Sequence, residues 1–196
     1  MNDKASRREL SHQRILDVAA RAIRRSGYDG VGVANIMKEA GLTHGGFYAH
    51  FSSRNALLAE AMLHASADSA ARIQGRMAAQ CAQGASPLRA LIESYLSEVH
   101  LSSAELGCPL AALASEIPRQ CPEVREASGK RVKGLIKLVQ HTLPAGASSD
   151  SAQVIASTMI GALQLARALG DGEEGKTLLA LNRAALIGQY DVQLAH

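Results

Sequence analysis

Two short segments with the apolar spacing of α-helices meet at Gly41, and this junction restricts the folds open to the chain more than any other feature. The spacing predicts a helix over 33–40. Gly41 can then adopt the left-handed conformation that commonly ends a helix. A second helix is predicted over 44–51, with Thr43 as its N-cap. Two short helices joined by a tight glycine turn are typical of a helix-turn-helix, which here spans residues 33–51.

The predicted second helix contains two adjacent glycines at 45–46. Each costs about 1 kcal/mol relative to alanine inside a helix, so their presence suggests that a partner comes close to the backbone. Phe47 and Phe51 lie four residues apart and are expected in a core. Tyr48 and His44 share a second side, with their polar ends available. Four of the six aromatic residues fall within the first 51 positions, which indicates a small domain with its own core.

The sequence GLTHGGFYAHFSSRNALL resembles the signature of the TetR family of bacterial regulators, and the resemblance extends over residues 12–62. It implies a DNA-binding domain whose second short helix enters the major groove of double-stranded DNA. Arg54 stands where the family usually has Lys, and Val33 stands where it commonly has Thr. The residues that the resemblance places at the groove or its phosphates are Thr43, His44, Gly46, Tyr48, His50 and Arg54. Gly45 departs from the family pattern and loosens the helix, and we expect it at the same DNA-binding surface.

Positive charge is concentrated in the first third of the chain. Residues 1–64 contain nine Lys and Arg against six Asp and Glu, whereas the remainder is balanced. This excess suits a domain that neutralises DNA phosphates, and a solvated helix face has the same composition. Lys4, Arg7 and Arg8 form either an arm that reaches a neighbouring groove or a charged tail.

The remainder of the chain is predicted to be helical, with breaks where glycine, proline and small polar residues cluster. A first helix is predicted over 8–26, ended by Gly27. No alternating strand pattern occurs, so the fold class is all-α. We expect a three-helix DNA-binding domain over residues 1–53 and a helical bundle for effector binding and dimerisation over residues 54–196.

Amphipathic segments at 88–101 and 131–139 can enclose either a filled core or a ligand cavity. The resemblance implies a pocket for a small-molecule effector, whereas packing alone favours a core position for any single apolar residue there. Buried polar side chains would favour the pocket. The candidates are Tyr95, His100, Gln164 and Arg167.

Cys108 lies between Gly107 and Pro109 at a predicted helix start, where the helix dipole favours a thiolate. Some members of the TetR family carry a Gly-Cys at this helix, the sixth, and use it to sense oxidants or electrophiles. Cys108 is therefore either a switch of this kind or a buried, inert cysteine.

The segment 151–169 is apolar nearly all round, which a single protomer can scarcely cover. Together with 176–190 it resembles the pair of helices through which the family forms homodimers. A two-fold dimer presents two DNA-reading helices and is expected to bind a roughly palindromic operator. The family's usual mode, repression, is implied by the same resemblance.

The cysteines and the terminal sequence bear on where the protein acts. The three cysteines lack metal-site spacing, which predicts reduced thiols in a cytoplasm and no metal site. The N-terminal segment is polar, and the charge-free stretch 151–166 is shorter than a membrane span. We therefore expect a cytoplasmic protein with neither a secretory signal nor a membrane helix, and with no cofactor.

Two other classes of function compete with a regulator. An enzyme or small-ligand carrier would use Cys108 with His100 or His141, yet no acid–base pair or glycine-rich phosphate loop accompanies them. A helical interaction protein would use the N-terminal domain to bind a protein partner, and the exposed histidines predicted at 44–50 argue against it. The sequence favours a regulator that is not an enzyme.

Overall fold

The computed structural model describes the backbone of residues 2–191 and the side chains of residues 6–191. Within these residues the secondary structure is entirely helical, which confirms the all-α fold class. The α-helices are α1 (Asn2–Ser26), α2 (Val33–Glu39), α3 (Arg54–Cys81), α4 (Pro87–Tyr95), α5 (Glu98–Ser102), α6 (Pro109–Leu113), α7 (Pro122–Thr142), α8 (Ser149–Leu169) and α9 (Glu173–Tyr190). Three 3₁₀ helices lie between them, at His44–Ala49, Ala104–Leu106 and Ile117–Arg119.

The chain divides into two compact units that do not follow its linear order. The first unit contains Met1–Asp68 and Glu105–Arg131, and the second contains Ser69–Ala104 and Val132–His196. The chain thus passes between the units three times: inside α3, inside the 3₁₀ helix Ala104–Leu106 and inside α7. The predicted boundary between residues 53 and 54 stays a prediction, because compactness does not establish which part folds alone.

In the first unit, α1 is longer than predicted and begins at Asn2. Arg7 and Arg8 therefore lie on a helix, while the side chain of Lys4 is outside the described residues. The helix ends where Gly27 adopts a positive φ of 72°, as expected. Gly41 does the same after α2, with φ 71°, and the Leu42 amide then donates to the Met37 carbonyl (2.8 Å).

Residues 105–131 are fastened to the end of α1 by polar contacts. The buried Arg24 side chain donates to the carbonyl oxygens of Ala20 (2.9 Å) and Gly107 (3.0 Å), and its Nη2 lies 3.8 Å from an Asp68 carboxylate oxygen. A buried guanidinium must satisfy its donors, and two of these three partners lie far away in sequence. The segment around Gly107 is therefore part of the same core as α1.

Glu116 makes a second polar contact between residues 105–131 and the turn that follows α1. Its Oε2 accepts a hydrogen bond from the Tyr28 amide (2.8 Å), and the Tyr28 ring is fully buried. The carboxylate thus satisfies a backbone donor that the end of α1 leaves open.

In the second unit, the predicted segment 88–101 is interrupted after Tyr95 and forms α4 and α5. Leu96 ends α4, and the Ser97 hydroxyl accepts from the His100 amide at the start of α5. Two arginines donate to carbonyls on either side of this break: Arg183 from α9 to Leu96 (2.7 Å), where α4 ends, and Arg167 from α8 to His100 (2.8 Å), within α5. These donors lie in distant helices, so local periodicity could not predict the break.

α8 is longer than the apolar stretch recognised in the sequence. By length and composition alone, α8 is long and apolar enough to span a membrane. Its most apolar part has a mean hydropathy of 1.2, and 39% of that part is buried inside the protein. Its buried residues, among them Ile155, Met159 and Leu163, belong to the core of the second unit, where α8 packs along α9.

We expect Gly27→Ala to lower the free energy of unfolding more than Gly41→Ala. Both glycines have positive φ, which costs about 1–2 kcal/mol for any other residue. A Cβ at Gly27 would also lie 2.6 Å from Glu116 Oε1 and displace the carboxylate from the Tyr28 amide, adding about 1–2 kcal/mol. At Gly41 the nearest atom is 4.0 Å away, on Arg14.

Urea denaturation followed by circular dichroism measures the two costs. The difference between them should disappear in a Glu116→Ala background, because the displaced contact is then already lost. A difference that persists without Glu116 would contradict this account.

Candidate nucleic-acid interface

The element predicted as the second helix of the helix-turn-helix is a 3₁₀ helix, His44–Ala49, called here the recognition segment. It is shorter and more tightly wound than the α-helix predicted over 44–51. The Gly46 amide donates to the Thr43 carbonyl (3.0 Å) and the His50 amide to Phe47 (2.9 Å), three residues back in each case. Glycines at 45–46 weaken the preference for a regular α-helix, which explains the difference.

Two buried phenylalanines hold the recognition segment on the core. Phe47 and Phe51 are each 2% exposed, and their rings stack with centroids 5.7 Å apart. The His12 ring from α1 stacks on Phe51 at 4.6 Å. The prediction that Phe47 and Phe51 anchor this element is confirmed. The sequence did not single out His12, although it lies one helical turn after Arg8.

The opposite side of the recognition segment faces solvent. Tyr48 is 73% exposed and meets Phe47 edge-on with ring centroids 5.2 Å apart, so its phenol projects from a fixed base. Also exposed are Thr43, His44 and Gly45, whereas Gly46 and His50 are partly buried. A Cβ built at Gly45 would meet nothing within 4 Å, so no described part of the chain requires glycine there.

Thr43 occupies the predicted N-cap position with an extended backbone, but its side chain makes no cap hydrogen bond. By contrast, the Ser53 hydroxyl accepts from the Ala56 amide and caps α3. The Ser53 side chain is therefore used by the fold, whereas the Thr43 hydroxyl is available to a ligand.

Arg54 is directed away from the exposed side of the recognition segment. Its guanidinium donates to the carbonyl oxygens of Tyr28 and Val31, with Nε and Nη2 at 3.3 and 3.2 Å from Val31. These bonds hold the loop between α1 and α2. The assignment of Arg54 as a DNA contact stays a prediction, and the side chain would have to leave these carbonyls to make it.

The candidates for an effector pocket fall into two places. Tyr95, His100 and Arg167 lie together in the second unit: His100 Nδ1 is 2.7 Å from the Tyr95 carbonyl oxygen, and the two rings meet edge-on at 4.9 Å. Gln164 is partly buried on α8. Cys108 belongs to the first unit, where it is fully buried with Arg131 Nη2 3.8 Å from its sulfur.

Among the described side chains, no three His, Cys, Asp or Glu residues are grouped so that they could hold a metal ion. The recognition segment therefore presents an exposed side with aromatic and polar groups, many of them hydrogen-bond donors. The small core beneath it holds this side in place. An arrangement of this kind suits the contact of base edges and phosphates.

Comparison with known families matches two parts of the chain. Residues 15–61 match "Bacterial regulatory proteins, tetR family", and residues 84–174 match "Transcriptional regulator LmrA/YxaF-like, C-terminal domain". The two matches together span well over half of the sequence and include the recognition segment. Both describe regulators of transcription.

Individual proteins resemble the chain over most of their length. The HTH-type transcriptional regulator LmrA of Bacillus subtilis is 27% identical over 154 residues, which cover 78% of this chain and 81% of LmrA. Among solved structures, a TetR transcriptional regulator from Chloroflexus aurantiacus has a TM-score of 0.73 at 23% identity, covering 94% of this chain and 97% of its own. The reduced form of E. coli NemR has a TM-score of 0.76 at 20% identity, covering 94% and 99%.

Proposed function

The chain belongs to the TetR family and is a DNA-binding transcriptional regulator, and we propose that it reads double-stranded DNA with the exposed side of the recognition segment. The observation that carries this proposal is the contrast between adjacent residues. Phe47 is buried and Tyr48 is 73% exposed, so the core fixes a phenol that the fold itself does not use.

The exposed side has the properties that the major groove requires. Thr43, His44 and Tyr48 supply hydroxyl and imidazole groups that can bond base edges or phosphates. The glycines at 45–46 carry no side chain, so a groove wall can approach the backbone closely. His50 follows the segment as its C-cap residue, and we propose that it contacts a phosphate.

We expect Tyr48→Ala to weaken binding to the DNA upstream of the protein's own gene by roughly tenfold or more, since one lost contact costs about 1–3 kcal/mol. Fluorescence anisotropy at several salt concentrations measures the change. Val99→Ala, which shortens a side chain of α5 that is 61% exposed, is the control and should leave affinity unchanged. Equal affinities for wild-type protein and Tyr48→Ala would contradict the proposed orientation of the segment.

Dimerisation through α8 and α9 is the second part of the proposal. These helices expose large apolar side chains that a partner would cover. They are Val154, Leu165, Leu169 and Leu181. An isologous pairing of the two helices would form a four-helix interface and place two recognition segments on a roughly palindromic operator.

Leu181→Glu is expected to shift the protein from dimer to monomer, because a carboxylate would be buried at the interface without a partner. Light scattering at micromolar concentration measures the mass. Val99→Glu on α5 is the matched control, since Val99 is 61% and Leu181 66% exposed in one protomer. A wild-type protein that is already monomeric at this concentration would contradict the dimer.

The proposed mode is repression that an effector relieves in the cytoplasm. Tyr95, His100 and Arg167 place polar groups within the second unit, with Gln164 nearby on the same helix as Arg167, and this supports a pocket for a small molecule.

Cys108 supports an alternative signal, an electrophile. Gly107, its neighbour, accepts the hydrogen bond from Arg24 of α1, so an adduct on the buried sulfur would have to displace a segment bonded to the DNA-binding helices. The two signals differ in the residues they require.

If Cys108 is the switch, Cys108→Ser should abolish the release of DNA by N-ethylmaleimide while leaving DNA affinity intact. The control is Cys81→Ser, because Cys81 is exposed and outside the first unit. Anisotropy of labelled DNA before and after alkylation measures release. Release that is unchanged in Cys108→Ser would remove Cys108 as a switch and leave reversible effectors.

A further inference from the structure

An open cleft lies in the first unit where the start of α1 passes the end of the recognition segment. Arg8, Glu9, His12 and His50 line it. Three of the four are basic, and the cleft adjoins the exposed edge that carries Tyr48.

Arg8 is fixed at this cleft by the recognition segment itself. Its Nη2 donates to the carbonyl oxygen of Ala49 (2.7 Å), and the rest of the exposed guanidinium keeps donors for a further partner. An arginine held in this way loses little conformational freedom when it binds an anion.

His50 lines the same cleft and has a ring nitrogen without a hydrogen-bond partner. Its Nδ1 is buried and has no hydrogen-bond partner, and its ring centroid is 5.9 Å from that of His12. Burial, followed by the charges of His12 and Arg8, lowers the pKa of His50. The neutral imidazole is therefore favoured while the cleft is empty.

Two carboxylates also face this group of side chains. Glu9 lines the cleft, and Glu60 of α3 lies 3.0 Å from His12 Nε2. Because Glu60 engages His12, Glu9 is the carboxylate that would repel an anion in the cleft.

We propose that the cleft binds a phosphate of the DNA backbone, with Arg8 as its permanent cation and His50 as a second donor that takes up a proton as the phosphate arrives. This inference rests on the proposed DNA-binding function and deepens it. It joins Arg8 and His12 to His50 in one phosphate site and adds proton uptake to the phosphate contact already proposed for His50.

The direction of the pH effect follows from the two states. In the free protein, the surroundings of His50 disfavour its protonated form. In the complex, a neighbouring phosphate favours the protonated form, so the protein takes up a proton when it binds DNA. DNA affinity should therefore increase as pH falls from the pKa that His50 has in the complex to the lower pKa that it has in the free protein, by at most about tenfold per pH unit for one proton. Above the pKa that His50 has in the complex, the increase is absent.

The experiment uses the full-length protein and a mixed-sequence duplex at low ionic strength, since phosphate contacts do not depend on sequence. Calorimetry in buffers of different ionisation enthalpy counts the protons taken up. Wild-type protein should take up a fraction of a proton that His50→Gln abolishes. His141→Gln, which removes an exposed imidazole of α7 in the second unit, should retain that uptake.

A second pair of variants tests the cation. Arg8→Ala should weaken binding and reduce the salt dependence by about one phosphate, whereas Arg7→Ala at the adjacent exposed position should not. Glu9→Gln should tighten binding. Equal effects of Arg8→Ala and Arg7→Ala would overturn the role of the cleft.

NMR titration of the His50 ring covers the case in which His50→Gln folds poorly. The pKa of His50 must be higher with duplex than without it, and an unchanged value would overturn the proposal. Inorganic phosphate at equal ionic strength is the comparison: an equal rise with phosphate alone would assign the cleft to anions in general and not to DNA. Failure to bind DNA at any pH would instead refute the proposed function, whereas binding with pH dependence that survives His50→Gln would refute only this inference.

Discussion

The burial of Phe47 and Phe51 is the constraint on which the DNA-binding surface depends. A six-residue 3₁₀ helix containing two glycines has little stability of its own, so its position must come from the core beneath it. His12 extends that core to α1 by stacking on Phe51. The exposed phenol of Tyr48 is therefore oriented by apolar packing on the far side of the same short element.

The first unit is held together by contacts between residues far apart in the chain. Arg24 and Gly107 are separated by 83 positions and Tyr28 and Glu116 by 88, yet both pairs are hydrogen-bonded at the end of α1. The segment carrying Cys108 is thus joined directly to the helices that support the recognition segment. A change in this segment can reach the DNA-binding surface through bonds within a single unit.

Local sequence signals predicted much of this arrangement. The helix spacing, the turns at Gly27 and Gly41 and the anchoring by Phe47 and Phe51 all depend on neighbours within a few residues, and the structure confirms them. Features set by distant partners were missed. The break after Tyr95 is satisfied by arginines of α8 and α9, and the direction of Arg54 is set by carbonyls more than 20 residues earlier. The 3₁₀ form of the recognition segment was also missed, because the consequence of two glycines depends on how tightly the core holds their neighbours.

The shortness of the recognition segment limits how much sequence one protomer can distinguish. Six residues rising about 2 Å each extend over about 12 Å, the length of three or four stacked base pairs. A DNA sequence of three or four base pairs recurs by chance throughout a genome. In the proposed dimer, selectivity would then depend on the distance between two such sites, which makes the rigidity of the assembled pair as important to target choice as any side chain that touches a base.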